Sequence, residues 1–138
     1  MPPQSASESL HLKVLPGLFS VSQFSITKPV DIVLLDKLQL AGAKFISITR
    51  TDEEISVVEE VADAETASAE WKGIKIEGPM DFGLTGILHD LSAPLKAASI
   101  SIFAISTWNT DYVFIKRDKA EEAVRVLSDD GWHFVEGQ

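Results

Sequence analysis

The fold is decided by residues 71–116, which read WKGIKIEGPMDFGLTGILHDLSAPLKAASISIFAISTWNTDYVFIK. Near its start, Ile74 and Ile76 alternate with polar side chains, as in a strand that buries one face. Large apolar side chains then recur at helical spacing, at Leu84, Ile87, Leu88, Leu91 and Leu95. The pattern predicts a strand, a helix and a two-stranded hairpin, at 71–77, 84–98, 100–107 and 111–116.

The flanking segments extend this order. After it, Asp118 and Glu121 have the spacing of a capping box, which predicts a helix over 118–130 and then a last strand over 132–136. Before it, a shorter version of the same order is predicted at 20–26, 29–41, 45–50 and 55–61. Pro29 is expected to be the first helical residue there, because a helix start does not need the missing N–H. A βαββ unit therefore precedes a βαββαβ unit.

The composition limits the kind of partner. The chain has 138 residues, no cysteine and a net charge of −9 at pH 7. Nucleic acids and anionic membranes bind basic surfaces, so we expect neither as a partner. No apolar run approaches the roughly 20 residues of a membrane span. The first residues lack the basic start and apolar core of a signal peptide. We therefore expect a soluble, cytoplasmic protein.

Catalytic and metal-binding patterns are missing from the sequence. His11, His89 and His133 fall on separate predicted elements and lack the spacing of a metal site. The glycines at 78, 83 and 86 fit neither a dinucleotide-binding nor a Walker loop, and no Gly-x-Ser-x-Gly occurs. We therefore predict no catalytic residue, no metal and no cofactor.

Two polar stretches are the candidate binding regions. Residues 78–88 join a strand to a helix start, where backbone N–H groups and Gly86 suit a carboxylate, although a tight turn explains them equally well. Residues 106–111 interrupt a hairpin. Asp111 either pairs with a ligand or satisfies local backbone N–H groups. Trp108 either lines a pocket or interface or belongs to the core.

These residues resemble a known family. The βαββ–βαββαβ order, together with the sequences TDEEISV at 51–57, PMDFGLTGI at 79–87 and ISTWNTDY at 105–112, is similar to ACT-domain proteins. The nearest resemblance is to small tandem ACT proteins related to aspartate kinase regulatory domains and to the CASTOR cytosolic arginine sensors. It implies an α+β fold of tandem ferredoxin-like modules, with antiparallel sheets and helices on one face. The modules would span 10–61 and 71–136, with a connector at 62–70.

The resemblance also implies a ligand site where two ACT modules meet. Transferred to this chain, the ligand-binding residues are Ser56, Val57, Leu84, Thr85, Gly86, Ile87, Thr107, Trp108 and Asp111. Asp111 would bind an ammonium or cationic group, the helix start at 85–87 a carboxylate, and Ser56 would supply a hydrogen bond. Where the arginine sensors carry acidic residues, this chain has Gly83 and Leu84.

The expected function is amino-acid or small-metabolite sensing without catalysis. Edge strands of ACT-like sheets need a partner, so we expect a homodimer, and a regulated protein partner is compatible with a sensor. Two other classes remain open. One is an interaction module with a vestigial pocket, and the other is a small enzyme that uses His89 or Asp90.

Overall fold

A computed structural model describes residues 10–39, 44–61, 69–78 and 86–135. The chain divides into two compact units. The first unit contains the described residues between 17 and 70, and the second contains residues 10–16 together with those from 71 onward. Within the described ranges, no helix is long and apolar enough to cross a bilayer.

The second unit is an antiparallel sheet with two helices. Its strands are β1 (Leu12–Val14), β5 (Trp71–Ile76), β6 (Ile102–Ser106) and β7 (Asp111–Lys116). They pair in the order β1–β5–β7–β6. The helices are α2 (Ile87–Ala97) and α3 (Ala120–Asp129). Leu91, Leu95 and Leu127 share one buried core with the strands, so the predicted helical stripes are apolar core faces.

Strand β1 differs from the expected module boundary, which placed residue 10 in the first module. Leu12 is fully buried in the second unit's core and lies opposite Ile76 of β5. Its N–H donates to the His133 carbonyl and its carbonyl accepts from the Val135 N–H, at 2.8 Å each. The first unit is therefore interposed along the chain between β1 and β5. The sequence of such a short strand contains no information about which strand it pairs with.

Two predicted termini in the second unit differ from the structure, and a third cannot be compared with it. The α3 helix follows a 3₁₀ turn (Arg117–Lys119), and its N-cap, Lys119, makes no side-chain capping bond, so the predicted capping box is wrong. The predicted last strand is reduced, in the described part, to one parallel bridge between Phe134 and Leu12. The predicted start of α2 at residue 84 lies outside the described residues.

The first unit is a three-stranded antiparallel sheet and one helix. Its elements are β2 (Phe19–Phe24), α1 (Ile32–Gln39), β3 (Ile46–Arg50) and β4 (Ile55–Glu60), and β4 lies between β3 and β2. Helix α1 has no buried residue. An ion pair of 2.6 Å between Lys37 Nζ and Glu59 Oε1 connects it to β4.

The start of α1 also differs from the prediction. The Val33 N–H donates to Asp31 Oδ1 at 2.9 Å, and the Leu34 and Leu35 N–H groups donate to the Asp31 carbonyl. Asp31 therefore caps this helix, and Pro29 lies in the loop before it. The reason is that an aspartate side chain can accept an otherwise unsatisfied N–H of the first turn, whereas proline only tolerates that position.

Candidate functional site

The first unit contains a cavity of about 540 Å³ where β2 leads into α1. It is lined by Gln23, Phe24, Ser25, Lys28, Pro29, Val30, Asp31, Leu34 and Ile55. Its volume is within the range of small-molecule pockets, about 300–1,000 Å³. We call it the first-unit pocket.

Local hydrogen bonds shape the loop at the mouth of this pocket. Ser25 Oγ accepts from the Thr27 N–H at 3.1 Å and lies 2.7 Å from Thr27 Oγ1. A serine that bonds to the backbone two residues ahead is a typical turn former. The Asp31 cap then directs the chain into α1. These contacts place Lys28 and Asp31 on the same short loop.

The polar groups of the pocket are few and differ in availability. Gln23 Nε2 donates to Glu54 Oε1 at 2.8 Å and is therefore already engaged. Lys28 has no ion-pair or hydrogen-bond partner among the residues that the structure describes. Asp31 uses Oδ1 for the helix cap, and its Oδ2 makes no hydrogen bond or ion pair with the described residues, so that oxygen is available. One cation and one anion are thus available to a ligand.

The remaining lining is mainly apolar. Ile55 is only 1% exposed and belongs to the buried side of the sheet. Phe24 is 47% exposed, and Leu34 is half-buried on the first turns of α1. An apolar surface with a few fixed polar groups is the usual composition of a small-molecule site.

In the second unit, the predicted binding turn is organised by two threonines. The Thr107 N–H donates to the Thr110 carbonyl at 2.9 Å, and Thr107 Oγ1 donates to the same oxygen at 3.1 Å. Thr110 is 2% exposed, and its hydroxyl donates to the Ile76 carbonyl at 2.7 Å. The turn between β6 and β7 is therefore anchored to the end of β5 through Thr110. Thr110 was not among the predicted binding residues, although a second threonine three residues after Thr107 is a local indication of such a turn.

Gly78 allows this close approach. It has φ +67°, and a Cβ there would lie 3.0 Å from Thr110 Cβ and 3.3 Å from the Asn109 carbonyl oxygen. A side chain at this position would therefore be strained and would press on the turn. The predicted binding region at 106–111 thus packs against the residue that begins the other one, 78–88.

Asp111 and Trp108 occupy different positions in this turn. Asp111 starts β7, is half-buried and lies opposite Ser106. Its carboxylate makes no hydrogen bond or ion pair with the described residues, so the alternative in which it satisfies local N–H groups is wrong. Trp108 is 85% exposed, which excludes the core alternative.

Gly86 has a conformational role. It is the N-cap of α2 at φ +80°, and its carbonyl accepts from the Asp90 N–H at 2.9 Å. A Cβ there would meet no heavy atom of the described residues within 4 Å, so the space beside Gly86 is open in that part of the chain. Ile87 packs partly against the core of the second unit. Leu84 and Thr85 lie outside the described residues.

The other predicted binding residues, Ser56 and Val57, lie on β4 of the first unit. Val57 is 1% exposed and is not among the described residues that line the first-unit pocket. Ser56 is half-buried opposite Gln23 and Thr49. Because side chains alternate along a strand, Ser56 faces away from the side on which Ile55 lines the first-unit pocket. The structure thus divides the predicted residues between the two units.

Histidine and buried polar groups outside these regions do not form a reactive cluster. The rings of His11 and His133 lie 4.5 Å apart although their sequence positions are distant. His89 and Asp90 form an exposed pair at 3.6 Å on α2. Glu77 Oε1 is buried without a hydrogen-bond partner among the described residues. In that part of the chain, no three His, Asp or Glu side chains are grouped to hold a metal ion.

Comparison with known proteins shows a likeness to ACT domains. Residues 66–129 match the ACT domain family model. The human cytosolic arginine sensor for mTORC1 subunit 1 is 36% identical over 58 residues, and the bovine protein matches equally. This segment is 41% of the chain and 18% of the human protein, so the match spans a small part of the curated relative's length.

Solved structures extend the likeness over nearly the whole chain. A crystal structure of an Agobacterium tumefaciens protein has a TM-score of 0.74 and 26% identity, covering 93% of this chain and 92% of that chain. The aspartokinase alpha and beta subunits give a TM-score of 0.61 at 15% identity, covering 87% and 96%, a likeness of fold alone. The predicted resemblance to ACT-domain proteins is confirmed. The α+β fold with antiparallel, ferredoxin-like sheets is also confirmed.

Proposed function

We propose that this chain, which carries an ACT domain at residues 66–129, is a non-catalytic regulatory protein that binds an amino acid or a similar small metabolite. The first-unit pocket is the observation that carries the proposal. It combines an available cation, an available carboxylate oxygen and an apolar interior in a volume suited to a small molecule. An α-amino acid carries both complementary charges at neutral pH. The name of the arginine sensor that is similar to part of this chain supports the same class of ligand.

A thermal-shift screen of the twenty amino acids tests this function, because a ligand that binds only the folded state raises the melting temperature. Lys28→Ala should reduce the shift, since the pocket's available cation is lost. Lys44→Ala is the matched control, because Lys44 is an exposed lysine of the same unit outside the pocket. A protein whose melting temperature responds to none of the amino acids would contradict the proposal.

The binding residues inferred from the ACT resemblance remain a proposed second contact region. Asp111 has a half-buried carboxylate without a partner in the described residues, and open space lies beside Gly86. Both properties are compatible with a ligand at the second unit's turn. The variants Lys28→Ala and Asp111→Ala distinguish the two regions, because the variant in the occupied region loses affinity.

A protein-interaction module with a vestigial pocket is the second candidate, and the surface of α1 favours it. Ile32, Val33, Leu35 and Leu38 are 65%, 57%, 37% and 54% exposed. Clustered exposed apolar side chains commonly mark an interaction surface. Co-purification of a partner that is lost in Leu35→Ser, without any amino-acid response, would support this candidate.

We also propose that the protein is cytoplasmic and forms a homodimer. Among the described strands, β6 pairs with β7 alone, and β3 pairs with β4 alone, so each leaves one edge unpaired. Such edges and the exposed side chains of α1 are suited to a second copy. Light scattering tests the dimer, and a mass near the 15.1 kDa of one chain at tens of micromolar would contradict it.

A further inference from the structure

We propose that the first-unit pocket selects an amino acid with an uncharged, apolar side chain. This inference rests on the proposed function and specifies its ligand. Of the nine described lining residues, only Lys28 and Asp31 carry a charge. The others are two neutral polar residues and five apolar ones.

Both charged residues are needed for the α-ammonium and α-carboxylate groups that all amino acids share. Lys28 is the available donor for the α-carboxylate, and Asp31 Oδ2 is the available acceptor for the α-ammonium. Both residues lie on the loop that the Ser25 turn and the Asp31 cap define. After these two contacts, none of the described lining residues has a charge left for an ionised ligand side chain.

The ligand side chain would then face the apolar part of the lining. Ile55 forms a buried surface there, and Leu34 and Phe24 belong to the same lining. Transferring a charged group onto such a surface without a partner carries a large free-energy penalty, whereas an aliphatic or aromatic side chain gains from leaving water.

The carboxylate of Glu54 is hydrogen-bonded to the lining but is not part of it. Its Oε1 accepts from Gln23 Nε2 at 2.8 Å, and Glu54 is not among the described lining residues. A guanidinium or ammonium side chain within the described lining would therefore compete with the α-ammonium for Asp31. The side chain of leucine needs no such carboxylate.

Titration calorimetry with leucine, phenylalanine, arginine, lysine and glutamate tests the inference. We expect leucine or phenylalanine to bind about tenfold or more tightly than the three charged amino acids. Leucinamide, which lacks the carboxylate, should bind the parent weakly, and Lys28→Gln should weaken leucine without further weakening leucinamide.

Two further variants test the binding position, and the first of them is chosen so that helix α1 stays folded. Asp31→Asn retains a good helix cap but loses the negative charge, so it should weaken leucine binding with α1 intact. Leu34→Glu introduces a carboxylate into the apolar lining and should shift the preference from leucine toward lysine or arginine.

The outcomes separate this inference from the proposed function. If arginine or lysine binds the parent as tightly as leucine, and Asp31→Asn weakens that binding, the pocket binds amino acids but the apolar selectivity is wrong. If leucine binds but neither Lys28→Gln nor Asp31→Asn changes its affinity, the first-unit pocket is not the binding site. If no amino acid binds, the proposed function fails together with this inference.

Discussion

Replacing Thr110 by valine should destabilise the second unit by about 1–3 kcal/mol. Valine preserves the shape of threonine but removes the hydroxyl that donates to the Ile76 carbonyl at 2.7 Å. Thr110 is 2% exposed, so water cannot easily replace that donor. Removing one partner of a buried hydrogen bond costs about 1–3 kcal/mol of stability, because the other polar group stays buried without a hydrogen bond.

Thr110→Ser is the matched control, because it keeps the hydroxyl and removes only a methyl group. We expect the valine variant to be the less stable of the two. Urea unfolding followed by tryptophan fluorescence measures the effect on the right unit, since the chain's three tryptophans, Trp71, Trp108 and Trp132, all belong to the second unit. The role of this hydrogen bond would be refuted by a valine variant whose free energy of unfolding is within about 0.3 kcal/mol of the parent's. A valine variant more stable than the serine variant would also refute it.

Three other predictions concern the second unit. If the Asp111 carboxylate pairs with a ligand cation in a partly desolvated site, Asp111→Ala should lower ligand affinity by about 30-fold or more. The variant should lose little stability, because that carboxylate has no partner among the described residues. Calorimetry that finds unchanged affinity would exclude this role. Gly86→Val should destabilise α2 by about 1–2 kcal/mol because a β-branched residue is strained at φ +80°, whereas Gly86→Asn should cost less; equal melting temperatures for the two variants would contradict this. Burial raises the pKa of Tyr112 above its usual 10.0. The Tyr112 phenol therefore ionises at lower pH in the unfolded chain than in the folded one, and stability should fall as the pH rises above the unfolded-state pKa. Tyr112 is the chain's single tyrosine, so phenolate absorbance reports it directly, and a Tyr112→Phe variant with the same alkaline loss of stability would refute the link.

Local sequence patterns predicted some features of the candidate site but not its long-range contacts. The turn at 106–111 was recognised as a polar interruption, and its Asp111 is indeed half-buried and without a partner in the described part of the chain. Its main structural contact, from Thr110 to the end of β5, was missed because Thr110 and Ile76 are 34 residues apart. The first-unit pocket was missed for a related reason. Its described lining includes Ile55 of β4 and residues of the loop at 25–31, and no local pattern relates them.

The amino-acid sequence by itself determined the type and approximate position of most elements. Strands and helices differ in the period of their apolar side chains, and that period is a property of neighbouring residues. The same local patterns, together with the polar motifs, were sufficient for the ACT resemblance. Only the tertiary structure decided that β1 pairs with β5, that Asp31 caps α1, and that Lys28 and Ile55 line one pocket. These outcomes depend on which buried surfaces and hydrogen-bonding groups meet in the folded chain, and periodicity along the sequence does not contain that information.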